Sequence, residues 1–375
     1  MRFQKLKRFS CFVFYSIFKT KMVKKLASKN NKIELGLLEN SSFKALLNSK
    51  YQFSKKIVIV DENTQELCWP FLLTTFEELK EAEVIVLPTG EENKVMEVCF
   101  QVWGAFTNYQ VQRNDLIINL GGGVVTDMGG FIASVFKRGV DFINIPTTLL
   151  AMVDASVGGK TGINLDVHKN QLGVFSNPEL TICDASFLAT LPEKEMISGK
   201  AEIIKHALIN SRSFFDELTQ YLEGVPNDEI LAKAIQIKAD IVDQDFREQG
   251  ERKKLNFGHT IGHSIEGLLL HNKIEVTHGE CVAWGMLVEA YISHEVATLP
   301  KNELQEIEQL IRGQYETLAI NDTIFDSLIQ LMKHDKKNNS DKINFTLLQK
   351  IGLAKINYQL EEDVILRALN HVFGQ

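Results

Sequence analysis

The run Leu116-Ile117-Ile118-Asn119-Leu120 ends on three consecutive glycines, Gly121, Gly122 and Gly123, and then Val124-Val125-Thr126-Asp127. A β-rich run that short is a strand rather than a helix. Glycines at a strand's carboxyl end let the chain turn tightly into a following helix, and let its backbone come close to a pyrophosphate. The dinucleotide fingerprint G-x-G-x-x-G is not met, because Thr126 stands at its last glycine position. The segment therefore reads as a glycine-rich dinucleotide or phosphate loop of another type, with a plain strand-to-helix turn as the alternative.

Comparable runs occur at Lys56–Val60, Val84–Leu87 and Phe142–Ile145, with helical patterns between some of them. Strands alternating with helices make parallel βαβ units. After about Leu191 the pattern becomes helical, over Glu193–Ile209, Asp228–Asp245, Thr260–Leu270, Glu280–Ala297 and Asn302–Leu310. A single strand-like run, Lys342–Leu348, interrupts it. The expected fold class is an α/β N-terminal dinucleotide-binding domain plus a mostly α-helical C-terminal metal-binding domain. A chain of 375 residues can fill both cores. The expected division is an N-terminal extension without order over 1–30, an α/β domain over 31–190 and a helical domain over 191–375.

The first residues are basic and Phe9–Phe18 is largely apolar, which has the outline of a signal peptide. The apolar stretch is too short to span a bilayer. Lysines 19, 21, 24 and 25 stand where a small-residue cleavage site belongs. The segment reads as a dispensable extension, with Met22 as an alternative start. Five cysteines, an odd number with no C-x-x-C, argue for a reducing compartment, and the expected location is cytoplasmic. A net charge of −7 without a basic stripe argues against a nucleic-acid partner, and no membrane partner is expected. An acidic chain that binds an anion must gather its cations locally.

Several segments supply such groups. Asp61 closes the first strand, where a carboxylate can accept from an adenosine ribose, although many strands end in Asp as a turn residue. Gly159-Lys160-Thr161 has the look of a Walker A ending, but Asp154 occupies the required upstream glycine position, which excludes a nucleoside triphosphatase of that type. What remains is an acid and a lysine in a glycine-rich loop, with Lys169 and Asn170 nearby. Glu202, Lys205 and His206 share one helix face. His259 and His263 lie one turn apart after Arg252-Lys253-Lys254, and His278-Gly279-Glu280 follows. Three histidines and a glutamate suit zinc or a similar divalent ion. Spacing pairs His259 with His263 and leaves His278 open as the second imidazole.

In order from about Asp61 to His278, these segments resemble the 3-dehydroquinate synthase family. The most specific are GGGVVTD, PTTLLAMVDASVGGKTGIN, AEIIK, and RKKLNFGHTIGH followed by HGE. The resemblance implies one divalent metal ion, zinc or cobalt, held by Glu202, His259 and His278. It moves His263 to the substrate phosphate. It implies NAD against Asp61, Glu91, Lys94, Gly122, Gly123, Val124, Asp127, Thr147 and Thr148, with Asp154, Lys160, Lys169, Phe187 and Thr190 around it. Lys160, Asn170, Lys205, Lys238, Arg252 and Asn256 are the implied substrate contacts, joined by Lys336 or its neighbour Lys337. Arg138 resembles an arginine lent across a homodimer interface. Thr126 departs from the family's usual glycine.

The implied activity is that of a carbon–oxygen lyase on phosphates, closing a small-molecule sugar acid phosphate into a carbocycle. Transient oxidation of a carbinol acidifies the neighbouring C–H, phosphate leaves, the hydride returns, and an aldol step closes the ring. Two rivals stand beside it. One is a cyclase of neutral sugar phosphates, which would have no carboxylate for Lys238 and Arg252. The other is an NAD- and metal-dependent polyol dehydrogenase, which would yield net NADH.

Overall fold

The structure is a computed structural model that describes residues 23–166, 168–318, 320–335 and 342–374. The chain divides into two compact units, one from the described residues up to Pro192 together with Asn227–Asp243, the other from Glu193–Pro226 with Gln244 onward. Strands in chain order are β1 (Lys24–Leu26), β2 (Ile33–Leu35), β3 (Lys56–Asp61), β4 (Glu83–Leu87), β5 (Leu116–Gly121), β6 (Asp141–Pro146), β7 (Lys160–Leu165), β8 (His168–Phe175), β9 (Leu180–Cys183), β10 (Ile343–Lys350) and β11 (Leu353–Leu360). The helices that build the site are α1 (Met96–Asn108), α2 (Gly123–Val135), α3 (Glu193–Asn210), α4 (Asp228–Gln244), α5 (His259–His271) and α6 (His278–Val296).

In the first unit the sheet order is β1-β2-β9-β6-β5-β3-β4, with only β1–β2 antiparallel. Ile57, Val58, Ile59 and Val60 are all fully buried. A parallel sheet covered on both faces explains why the runs are continuously apolar instead of alternating. On one face Ile57, Ile59 and Ile117 pack against Val98, Val102 and Phe106 of α1 and Val125, Met128 and Ile132 of α2. Each such side chain contributes roughly 1.5–3 kcal/mol on burial. This core fixes the carboxyl ends of β3, β5 and β6, where Asp61, the glycine loop and Thr147 emerge. β7 and β8 form a separate antiparallel hairpin.

The second unit is helical apart from the β10–β11 hairpin. Every residue from Cys281 to Ala290 in α6 is buried. A helix apolar all round belongs inside a bundle. Its start is set by a capping box, in which Thr277 accepts from the Glu280 amide and Glu280 accepts from the Thr277 amide, so His278 is the first helical residue.

Three expectations are corrected. The segment 1–30 is not wholly an extension, because β1 pairs with β2 and residues 27–30 bind α4. A three-residue strand is too short to show a period. The helical domain is not contiguous over 191–375, because most of α4 belongs with the first unit. Periodicity shows that a helix has an apolar face, not what that face packs against. The lone C-terminal strand is half of a hairpin. Residues 1–22, including the basic and apolar N-terminal stretch, lie outside the described residues. No helix among the described residues is long and apolar enough to cross a membrane.

Candidate active site

In the first unit, Gly122 caps α2 and Gly123 and Val124 open it, with no side chain capping the amides. Uncapped amides at the start of a 13-residue helix are donors for an anion. A Cβ on Gly122 would sit 3.0 Å from Thr148 Cγ2, so only glycine leaves the backbone bare there. The Thr147 amide donates to Gly121 and ties the end of β6 to the same loop. Thr126 turns its hydroxyl back to the Gly122 and Gly123 carbonyls and leaves the outer face of the loop clear. Bare amides behind a glycine cradle fit a dinucleotide's pyrophosphate.

Asp61 caps the next helix through Thr64. Lys94 is almost fully buried, with Nζ 2.7 Å from both Asp127 Oδ2 and Asn170 Oδ1. Burial works against the ammonium, but Asp127 and Glu91 outweigh it and raise the Lys94 pKa. Glu91 accepts from Asn164 Nδ2 at 3.0 Å. Lys238 Nζ lies 2.6 Å from Asp154 Oδ1. Lys160 and Lys169 are exposed on the β7–β8 hairpin. Thr190 donates to the carbonyl of Phe187, which packs edge-on against Phe71. Arg138 sits apart from these groups, with φ +68°, beside an open hollow lined by Gln112, Arg113, Asn114 and Lys137.

In the second unit α3 carries Glu202 and Lys205, both fully buried and ion-paired to each other. The Nε2 atoms of His259 and His278 lie 3.5 and 3.8 Å from Glu202 Oε1. Their Nδ1 atoms are taken, His259 by the Phe257 carbonyl at 3.2 Å and His278 by Glu266 at 3.2 Å. Such outer contacts fix the tautomer and leave Nε2 for a metal. Ligand bonds of ~2.0–2.1 Å at tetrahedral angles put ligand atoms about 3.3 Å apart. Glu202 Oε2 pairs with Lys205, while Oε1, which faces both imidazoles, has no hydrogen-bond partner. The donor set therefore fits a divalent ion. His259, His263 and His278 also lie close enough to form a competing trio. The buried carboxylate, whose Oε1 faces Nε2 of both His259 and His278, favours the set with Glu202.

The electrostatics follow from this packing. Burial disfavours the Glu202 charge, but Lys205, then His259 and His278, hold its pKa well below the usual range. Burial and then Lys205 push His259 well below its ordinary value. For His278 burial acts the same way, yet Glu202 and Glu266 raise it to about 9. Arg252 is buried, donating from Nη1 to the Phe246 carbonyl at 2.7 Å, and Asn256 donates to Glu248. Lys336 and Lys337 lie outside the described residues.

Two residues missed in the sequence support this cluster. Glu266 orients His278. Glu289, fully buried on α6, accepts from the Gly258 amide at 2.7 Å and the Ile261 amide at 3.3 Å, across the start of α5. Gly258 has φ +82° and packs on Met286, where a Cβ would collide. Together they set the turn that presents His259. The available signal was a lone acid inside an apolar helix, a placement that demands a partner.

The solved 2-deoxy-scyllo-inosose synthase complexed with carbaglucose-6-phosphate, NAD+ and Co2+ aligns with TM-score 0.80 and 22% identity, over 93% of this chain and 100% of that one. ValA, a 2-epi-5-epi-valiolone synthase from Streptomyces hygroscopicus with NAD+ and Zn2+ bound, aligns with TM-score 0.77 and 26% identity, over 94% and 99%. The fold is that of the sugar phosphate cyclases. Family models described as 3-dehydroquinate synthase N-terminal and C-terminal match residues 84–198 and 199–338. The 3-dehydroquinate synthase of Parabacteroides distasonis is 40% identical over 86% of this chain and 92% of its own. That of Campylobacter jejuni subsp. doylei is 34% identical over 90% and 98%. The chain belongs to the 3-dehydroquinate synthase family.

Proposed function

We propose that the chain converts 3-deoxy-D-arabino-heptulosonate 7-phosphate to 3-dehydroquinate and phosphate. The structural observation that carries the reading is the cluster of buried Glu202 and Lys205 with partly buried His259 and His278, in a chain whose relatives at about 40% identity are 3-dehydroquinate synthases. Gly122, Gly123, Val124, Thr147 and Thr148 would hold NAD, and Glu202, His259 and His278 would hold zinc or cobalt. When bound, NAD takes and returns a hydride and the ion polarises the carbinol oxygen as a Lewis acid.

The chain's own part is positioning and charge. Arg252 and Lys238 neutralise the substrate carboxylate, and Arg252 can grip it through two parallel hydrogen bonds. Lys205, Lys160, Asn170, Asn256 and His263 orient the sugar acid and its phosphate. A departing phosphate still attached to its carbon can take the neighbouring proton, so no dedicated protein base is required. Arg138, on its open loop, would reach the site of a second copy in a homodimer. Five widely spaced cysteines, of which the four described are buried, fit work in a reducing, cytoplasmic setting.

The test is phosphate release from the heptulosonate phosphate with NAD far below substrate concentration. Many turnovers per NAD are expected. Stoichiometric NADH without phosphate would make the protein a polyol dehydrogenase.

A further inference from the structure

We propose that residues 27–30, at the N-terminal edge of the first unit, are a positioning clasp for Lys238, acting through Gln236 and Asp243 of α4. The proposal rests on the reading of Lys238 as a contact to the anionic substrate. Chain segments on both sides of α4 belong to the other compact unit, so its seat here depends on side-chain contacts. Gln236 pairs with both backbone groups of Ala27, donating from Nε2 to the carbonyl at 2.6 Å and accepting from the amide at 3.1 Å. Asp243 accepts from Ser28 Oγ at 3.0 Å, the Lys29 amide at 2.6 Å, the Asn30 amide at 3.1 Å and Asn30 Nδ2 at 3.0 Å.

Positions 236 and 243 are two helical turns apart and share a face. Lys238, two residues after Gln236, points about 200° away at ~3.6 residues per turn. It meets Asp154 there, with Nζ 2.5 Å from the carbonyl and 2.6 Å from Oδ1. One face of α4 is thus held by the N-terminal turn while the opposite face delivers the ammonium. The Ser28 hydroxyl also accepts from the Asn30 and Asn31 amides, so the turn is shaped before it meets Asp243. A turn pre-shaped to receive one carboxylate places the helix along its axis as well as around it.

The experiment uses the full chain with Asp243→Ala, Asp243→Asn and Gln236→Ala, each first checked for an unchanged circular dichroism spectrum. Reductive methylation of Lys238, followed by peptide mass spectrometry, needs no activity. The clasp predicts that Asp243→Ala speeds it about fivefold to thirtyfold, the range that loosening by one or two hydrogen bonds gives. Asp243→Asn, which keeps one acceptor oxygen, should fall between. In phosphate release, KM for the heptulosonate phosphate should rise by a similar factor with kcat and NAD affinity nearly unchanged. Adding Asp243→Ala to Lys238→Met should then change nothing further, because the clasp acts through Lys238. Wild-type labelling rates in both Ala variants, or additive effects in the double variant, overturn the clasp. A wild type that is inactive on the heptulosonate phosphate overturns the functional reading instead, and the labelling still decides the clasp.

Discussion

His259 Nε2 and Glu202 Oε1 lie 3.5 Å apart, with the carboxylate on α3 and the imidazole on the first residue of α5. His278 comes to the same oxygen from the first residue of α6. Three backbone devices bring them together. Gly258 provides the left-handed turn, Glu289 caps α5, and the lack of a Cβ at Gly279 lets α6 start against the Ser198 backbone.

The metal assignment separates His278 from His263. His278→Ala should abolish retention of zinc through dialysis, read by elemental analysis, whereas His263→Ala should keep it. Glu266→Ala should weaken affinity about 10- to 100-fold, as loss of an outer carboxylate does. Loss of zinc by both variants would point to the three histidines as the site, and retention by His278→Ala with loss by His263→Ala would put His263 in place of His278.

Glu289 tests the cap. Its removal strands two buried amides, of Gly258 and Ile261, and leaves a cavity. Glu289→Ala should cost about 2–4 kcal/mol of stability. Thermal denaturation would show this as a lower midpoint, together with weaker metal binding. A midpoint equal to that of the wild type would contradict the role.

Thiol chemistry gives a prediction that does not depend on the function. Burial pushes the Cys99 and Cys183 thiols up to about 12, and Cys68 and Cys281 are buried as well. A thiol titrating at about 12 is on the order of one part in ten thousand thiolate at pH 8, and only the thiolate reacts. Cys68, Cys99, Cys183 and Cys281 should therefore react slowly in the native protein, and all five thiols quickly in denaturant. Two or more fast thiols would mean that the core opens readily.

Much of this was legible in the sequence. The strand-to-glycine junction at Leu120–Gly121 and the helix carrying Glu202 lie where the patterns placed them, whereas the helices that open on His259 and His278 begin one and two residues before the expected Thr260 and Glu280. Those signals are long or chemically unusual, so local physics dominates. The strands Lys24–Leu26, Ile33–Leu35, Lys160–Leu165, His168–Phe175, Leu180–Cys183 and Leu353–Leu360 were missed, the first two because three residues show no period. The placement of α4 was missed because its partners, Asp154 and residues 27–30, are remote in sequence. The choice between His263 and His278 came from resemblance. In the structure it rests on the approach of His278 Nε2 to Glu202 and of its Nδ1 to Glu266, and no spacing encodes that.

The most direct test of the central claim compares an acid with a neutral substrate at Arg252. This cation is buried, and its planar guanidinium can grip a carboxylate through two parallel hydrogen bonds that a neutral sugar cannot return. The measurement is phosphate release with catalytic NAD, from the heptulosonate phosphate and from a sugar phosphate lacking the carboxylate, by wild type and Arg252→Ala. The account predicts that wild type turns over only the acid, and that Arg252→Ala costs about 2–4 kcal/mol, roughly 30- to 1000-fold in kcat/KM. Equal turnover of the neutral sugar, or a harmless Arg252→Ala, would contradict it and make the protein a cyclase of neutral sugar phosphates.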